Sequence, residues 1–165
     1  MTSKILVLLF LFATTFAQAQ FPDGVHSIDP APNQTTTFEG NLSTGKKIDD
    51  LSWAEKSSVA CFPGTQNAKF RGNHVLHGFV IPAYSEVTVT VEPKDKQADF
   101  SLYGYQVGTT NYSVVPNLSS CVSCEADHKW DYNKKGQTQD HTRSIKFNAI
   151  GNGYNIFIGV TGNNG

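Results

Sequence analysis

The stretch of residues 86–92, with the sequence EVTVTVE, carries the clearest strand pattern of this chain. Its valines alternate strictly with Thr and Glu, so an extended backbone projects them from one face and the polar side chains from the other. One apolar face and one polar face are typical of a half-buried strand in an antiparallel sheet. The stretch therefore predicts a β protein whose core lies on one side of this strand.

Four more segments carry strand patterns, at residues 73–81, 99–107, 143–150 and 154–160. Residues 151–153 (Gly-Asn-Gly) separate the last two and predict a hairpin turn, since Gly and Asn tolerate the positive φ that such turns need. Bulky side chains on both faces of the second segment predict a strand that is covered on both sides. Strands separated by Gly and Pro turns indicate an all-β fold, an antiparallel β-sandwich of the jelly-roll type.

The remaining segments are less regular. Residues 20–47 are rich in Pro, Asn and Thr and read as a leader with one edge strand at residues 35–38. A short helix is predicted near residues 49–58. Residues 108–142 read as a long polar loop, interrupted by a short strand at Val114 and Val115. A loop of this length within a compact domain is typically functional or mobile.

The first residues predict export. Lys4 is followed by an unbroken apolar run at residues 5–12, and Ala17 and Ala19 are the small residues that a signal peptidase requires. Residues 1–19 therefore read as a cleavable signal peptide, because the apolar run is too short to span a membrane. The expected location is secreted, periplasmic or on the cell surface.

Composition limits the partners of the exported part. Residues 48–165 suit a single domain. The formal net charge of the whole chain is −1, which does not favour electrostatic binding of nucleic acid. No second apolar stretch approaches membrane length, so we expect no membrane span after cleavage.

Residues 74–162 resemble the bacterial pre-peptidase C-terminal domain, a small β-sandwich attached to secreted enzymes. Residues 78–91 are similar to that family's first hairpin. Residues 98–103 are similar to its D-x-x-L-Y strand, and residues 153–160 to its G-x-Y-x-I-x-V strand. The resemblance implies an exported accessory domain in a bacterial protein.

The family continues into one more strand, which does not follow the last of these motifs. We therefore expect residues 33–42 or a partner chain to complete the sheet.

Three cysteines follow the signal peptide, and an oxidising compartment favours disulfides. The Cys121-Val122-Ser123-Cys124 spacing predicts a structural disulfide between Cys121 and Cys124, with Cys61 reduced and buried. Spacing leaves a bridge from Cys61 to either partner open. Thiol–disulfide exchange is the alternative, although the helix that usually lowers the thiol pKa in a C-x-x-C motif is missing here.

The same loop holds side chains that ligate metals in other proteins. A second C-x-x-C or a paired H-x-x-x-H is lacking, so we expect neither a metal nor another cofactor. The candidate ligands would be Cys121, Cys124, Asp127, His128 and His141.

No G-x-S-x-G or H-E-x-x-H motif occurs, so the chain is not expected to be an enzyme. Aromatic side chains with polar groups are favoured at binding surfaces. The sequence predicts a non-catalytic binding or accessory domain for a protein or polysaccharide outside the cytoplasm. A homo-oligomer assembled through an open sheet edge is an alternative. The predicted contact residues are Tyr103, Tyr105, Tyr112, Trp130 and Tyr132.

Overall fold

The structure is a computed structural model that describes residues 21–162, so the predicted signal peptide lies outside the described residues. Three 3₁₀ segments are described, at Leu42–Thr44, Ser52–Glu55 and Gly64–Phe70. The strands of this range are β1 (Val25–Ser27), β2 (Lys46–Lys47), β3 (Asn73–Ile81), β4 (Ser85–Val91), β5 (Phe100–Gly108), β6 (Ser123–Asp127), β7 (Arg143–Ala149) and β8 (Tyr154–Gly162).

The strands form two packed sheets, which confirms the predicted all-β sandwich-like fold. The larger sheet has the order β1-β3-β8-β5-β6, and β2 pairs with the same outer edge of β3 as β1 does. The smaller sheet consists of β4 and β7. Within residues 21–162, all pairings are antiparallel except the one between β1 and β3.

Two apolar cores lie on opposite faces of the larger sheet. The first core fills the space between the sheets, where the valines of β4 pack as EVTVTVE predicts. The second lies beneath residues 48–71 and the segment around Val115 and Leu118. Strand β5 contributes Leu102 to the first core and Tyr103 to the second, which confirms that both of its faces are covered.

One local prediction is confirmed and another needs correction. The short helix predicted near residues 49–58 is present as the 3₁₀ helix Ser52–Glu55, where the Asp50 carboxylate accepts a hydrogen bond from the Ser52 backbone N–H. Val114 and Val115 form no strand, because Val115 packs into the second core from an irregular segment. The strand within the predicted long loop is β6, which pairs with β5.

The prediction that residues 33–42 complete the sheet is wrong. Residues 31–41 are exposed and, within the described range, form no strand, so the edge strand predicted at residues 35–38 is absent. The outer edge of β3 is covered instead by β1, with Val25 beside Leu76, and by β2. An unpaired strand edge promotes unwanted association, and β1 and β2 of the leader cover this edge of β3.

Gly78 in β3 makes room for the leader. A Cβ atom at Gly78 would lie 3.0 Å from the ring of Phe21 and 3.0 Å from a methyl group of Val25. The ring of Phe21 also meets Phe157 edge-on, with 5.5 Å between the ring centroids. The beginning of the described leader, at Phe21 and Val25, therefore packs against the larger sheet.

Candidate binding surfaces and the cysteine cluster

The disulfide joins Cys61 to Cys124, so the predicted Cys121–Cys124 bridge is wrong and Cys61 is not a free thiol. The two Cα atoms are 5.2 Å apart and the residues are separated by 63 positions. Register explains the pairing. Cys124 lies opposite Tyr105, and both side chains belong to the second core, which the chain around Cys61 covers.

Cys121 is the free cysteine of the described chain, and it is half-buried. Its thiol donates to the Ser58 carbonyl, 3.4 Å away, and its backbone N–H bonds to the same carbonyl at 3.0 Å. Burial raises the pKa of the Cys121 thiol. Because the thiolate is the nucleophile in disulfide exchange, this environment does not support the redox alternative.

The predicted metal ligands do not converge. Cys124 is committed to the disulfide, and Asp127 accepts a hydrogen bond from the backbone N–H of Ser144 at 2.9 Å. His128 packs edge-on to Phe70, and burial is the main cause that lowers its pKa. Within residues 21–162, no three His, Cys, Asp or Glu side chains lie close enough together to hold a metal ion.

Tyr103 and Tyr105 are core residues, so their assignment to a contact surface is wrong. Each is about 2% exposed or less, because β5 is covered by the 48–71 segment on the face that carries them. The indole of Trp53 packs against both phenol rings, with centroids 5.6 Å away in each case. The Tyr103 hydroxyl also bonds to Nδ1 of His74 at 2.8 Å.

Trp130 and Tyr132 lie on residues 128–142, which we call the aromatic loop. Tyr132 is 87% exposed and Trp130 is partly exposed. The ammonium group of Lys134 lies 4.1 Å from the centroid of the Trp130 ring, a cation–π contact. The aromatic loop thus exposes two aromatic side chains and one cationic side chain to solvent, at least in part.

Asp131 joins the aromatic loop to the 3₁₀ segment Gly64–Phe70. Its carboxylate lies 2.7 Å from Nζ of Lys69 and accepts a hydrogen bond from Gln66 Nε2 at 3.2 Å. The Lys69 contact is the main cause that lowers the pKa of Asp131. These two contacts hold Asp131, the residue between Trp130 and Tyr132, against the 3₁₀ segment.

Arg143 supports the same loop from inside the protein and was not recognised in the sequence. It is 2% exposed, and its guanidinium donates to the carbonyls of Phe100, Asp140 and Thr142. It also donates to Gln139 Oε1, which in turn accepts a hydrogen bond from the Trp130 backbone N–H at 2.8 Å. A lone Arg at the start of an alternating strand gives no sequence signal for this role.

Tyr112 lies at the opposite end of the larger sheet from the aromatic loop. The aromatic loop follows Asp127, which lies opposite Leu102 in β5, whereas Tyr112 follows the other end of β5 at Gly108. Six residues of extended strand separate those two positions by roughly 20 Å. The predicted five-residue surface is therefore two core residues and two separate exposed regions.

Comparison with known proteins adds no relative: no family model, no curated protein and no solved structure matches this chain. The resemblance to the pre-peptidase C-terminal domain therefore rests on its three strand motifs. Within residues 21–162, no helix has the length and apolar character needed to cross a membrane.

Proposed function

We propose that this protein is an exported, non-catalytic β-sandwich that binds a protein or polysaccharide outside the cytoplasm through the aromatic loop. The observation that carries the proposal is the position of Tyr132, a large aromatic residue 87% exposed on a loop that the buried Arg143 and the Asp131–Lys69 ion pair hold in place. Aromatic residues with polar handles are favoured at binding surfaces because they offer contact area at small conformational cost.

The contacts that order the aromatic loop reduce the conformational entropy that is lost on binding. Asp131 and Arg143 fix its backbone before any partner arrives. A surface that is already ordered loses less conformational entropy on association, so more of its contact energy appears as affinity. The cation beside Trp130 and the hydroxyl of Tyr132 add polar contacts around the aromatic rings.

The extracellular setting is part of the proposal. The signal-peptide pattern at residues 1–19 supports export. The Cys61–Cys124 disulfide is compatible with an oxidising compartment. The resemblance to an accessory domain of secreted bacterial enzymes supports a role in binding rather than in catalysis.

Tyr132→Ala and Trp130→Ala test this proposal in a co-sedimentation assay with washed cells of the producing organism. We expect each variant to bind about tenfold or more weakly, as for central aromatic contacts in other interfaces. Phe38→Ala is the matched control, since Phe38 is also an exposed aromatic residue, at 52%, but lies on residues 31–41 of the leader and not on the aromatic loop. Equal binding by Tyr132→Ala, Trp130→Ala and the parent protein would reject the proposal.

Self-assembly is retained as a second candidate because of one observation. Among the described residues, β4 has β7 as its only strand partner, so one edge of this seven-residue strand is open. Sedimentation velocity tests it: association that increases with concentration and disappears in a Val89→Pro variant that remains folded would favour assembly over binding. A monomer at all concentrations would reject it.

A further inference from the structure

Three turns emerge together at the end of the sandwich opposite the aromatic loop. Residues 82–84 join β3 to β4, residues 109–113 follow β5, and residues 150–153 join β7 to β8. Their neighbouring strand residues are register partners. Ser85 pairs with Ala149, and Tyr154 pairs with both Ile81 and Gly108. We call these three turns the neutral tip.

The neutral tip carries no Asp, Glu, Lys or Arg. This is a regional property of the chain, since residues 72–85, 100–124 and 147–165 also contain none. The loops at the opposite end, residues 92–99 and 128–142, carry charges of both signs. The protein therefore presents a charged end and an uncharged end.

Large side chains are nevertheless exposed at the neutral tip. Tyr84 is 87% exposed, Ile150 is 78% exposed and Tyr112 is 38% exposed. The other residues of the three turns are small or uncharged polar ones, chiefly Gly, Asn, Thr and Ser. Tyr, Ser, Gly and Asn are the residues that dominate protein loops built for recognition, because they combine rigid contact area with adaptable hydrogen bonding.

Tyr84 is held in a backbone conformation that tyrosine rarely adopts. Its φ is +59°, which lies in the left-handed region. An L-residue with a Cβ atom is disfavoured there, and bulky residues more than Asn or Gly. Because the side chain is exposed, packing does not compensate for the strain. Strained residues of this kind are concentrated at functional sites.

A buried side chain orders the neighbouring turn. Asn155 in β8 is 1% exposed, and its Nδ2 donates to the carbonyls of Gly108, Thr109 and Asn111 at 3.5, 3.2 and 3.0 Å. The ring of Tyr112 then packs edge-on to Phe21 at 6.3 Å between centroids. The turn that carries Tyr112 is thus fixed in the unbound protein.

We infer that the neutral tip is a binding site for an uncharged polysaccharide. Flat aromatic faces contact the C–H groups of sugar rings, and amide, hydroxyl and backbone groups exchange hydrogen bonds with sugar hydroxyls. A site without charges loses no ionic hydration when such a polymer binds, and it offers nothing to attract an anionic one. The inference concerns a different end of the molecule from the proposed function and does not depend on it.

Affinity electrophoresis in native gels containing dextran, mixed-linkage β-glucan or mannan tests the inference, with alginate and polygalacturonate as anionic comparisons. We expect at least one neutral polymer to retard the protein and the anionic polymers to have no effect. In Tyr84→Asn the retardation should fall about tenfold, as expected for loss of a central aromatic contact. Its melting temperature should not fall, because Asn tolerates positive φ. Phe38→Ala, at an exposed aromatic residue that lies outside both the neutral tip and the aromatic loop, should be retarded like the parent protein.

Three results would overturn the inference. One is an absence of retardation by all three neutral polymers, and another is equal retardation of Tyr84→Asn and the parent protein. The third is dimerisation that Tyr84→Asn abolishes, which would assign the neutral tip to a second copy of this chain. Because Tyr84→Asn tests the neutral tip, Tyr132→Ala tests the aromatic loop and Phe38→Ala is the control in both experiments, failure of one proposal is distinguishable from failure of the other.

Discussion

The hydroxyl of Tyr103 donates a hydrogen bond to Nδ1 of His74 across the second core, with 2.8 Å between the two atoms. The assignment follows from the other ring nitrogen, because Nε2 lies 2.9 Å from the Phe70 carbonyl and can only donate to it. Burial lowers the pKa of His74 to about 4, which keeps the ring neutral near pH 7. The hydrogen bond thereby links β3 to β5, which are separated by β8 in the larger sheet.

The two core tyrosines of β5 should respond differently to loss of the hydroxyl. Tyr103→Phe leaves a buried acceptor on His74 without its donor, which should lower the free energy of unfolding by about 1–3 kcal/mol. Among the described residues, the buried Tyr105 hydroxyl has no hydrogen-bond partner, so Tyr105→Phe should be neutral or stabilising. Urea unfolding of both variants measures the difference. Equal destabilisation would contradict the assigned hydrogen bond.

Stability should fall in acid because of two buried histidines. Burial lowers the pKa of His74 to about 4, and burial together with the neighbouring His26 lowers that of His77 to about 4. Both folded-state values lie below the usual 6.5, so the unfolded state binds more protons in that window. Stability is therefore fully present above about pH 6.5, is lost as pH falls towards 4, and levels off below it.

The slope of that loss is measurable. Each histidine should contribute up to about 1.4 kcal/mol per pH unit between these values. Urea unfolding from pH 8 to pH 4 gives the slope, and His77→Gln should reduce it by removing one of the two groups. An unchanged slope in that variant would show that His77 does not take up a proton on unfolding.

The cysteines should separate into a structural pair and a dispensable thiol. Cys61→Ser and Cys124→Ser should each lower the free energy of unfolding by about 2–5 kcal/mol, because they remove a disulfide between distant residues. Cys121→Ser should change it by less than about 1 kcal/mol, since a hydroxyl can donate to the Ser58 carbonyl as the thiol does. Intact-mass spectrometry after alkylation without reductant should show a single modification. Two or three modifications would contradict the pairing.

The absence of a side chain at Gly159 leaves the space that the ring of Tyr103 occupies. The two residues are register partners in β8 and β5, and a Cβ atom at Gly159 would overlap the phenol ring. Gly159→Ala should therefore cost about 1–3 kcal/mol or more of stability through overpacking. Gly151→Ala is the control, because a Cβ atom at Gly151 meets nothing within 4 Å. Thermal unfolding that ranks the two variants equally would argue against this packing.

The sequence predicted the strands whose side chains alternate in burial. Strands β4 and β7 confirm the period-two pattern, since one face of each meets the first core and the other meets solvent. Strand β1 has three residues and pairs in parallel, which is too short for a periodicity to be recognised. Strand β6 has no fully buried residue, so its composition is that of a loop.

The candidate site was harder to predict than the fold. Tyrosine occurs in cores and on surfaces, so composition does not separate Tyr103 from Tyr132. The distinction arises when the 48–71 segment covers one face of β5, which is a long-range packing event. The cysteine pairing has the same origin, because Cys61 and Cys124 meet only after that segment has folded onto the sheet.

The most direct test of the central claim, binding through the aromatic loop, uses the two tryptophans of the chain. Trp53 is 2% exposed and Trp130 is partly exposed, so acrylamide should quench the fluorescence of Trp130 selectively. The measurement is acrylamide quenching with and without a soluble surface extract of the producing organism, at a concentration where co-migration shows the protein bound. We predict that the bound partner shields Trp130 from acrylamide, so that most of the quenching seen in the free protein is lost in the bound protein. Unchanged quenching in the bound protein would contradict it.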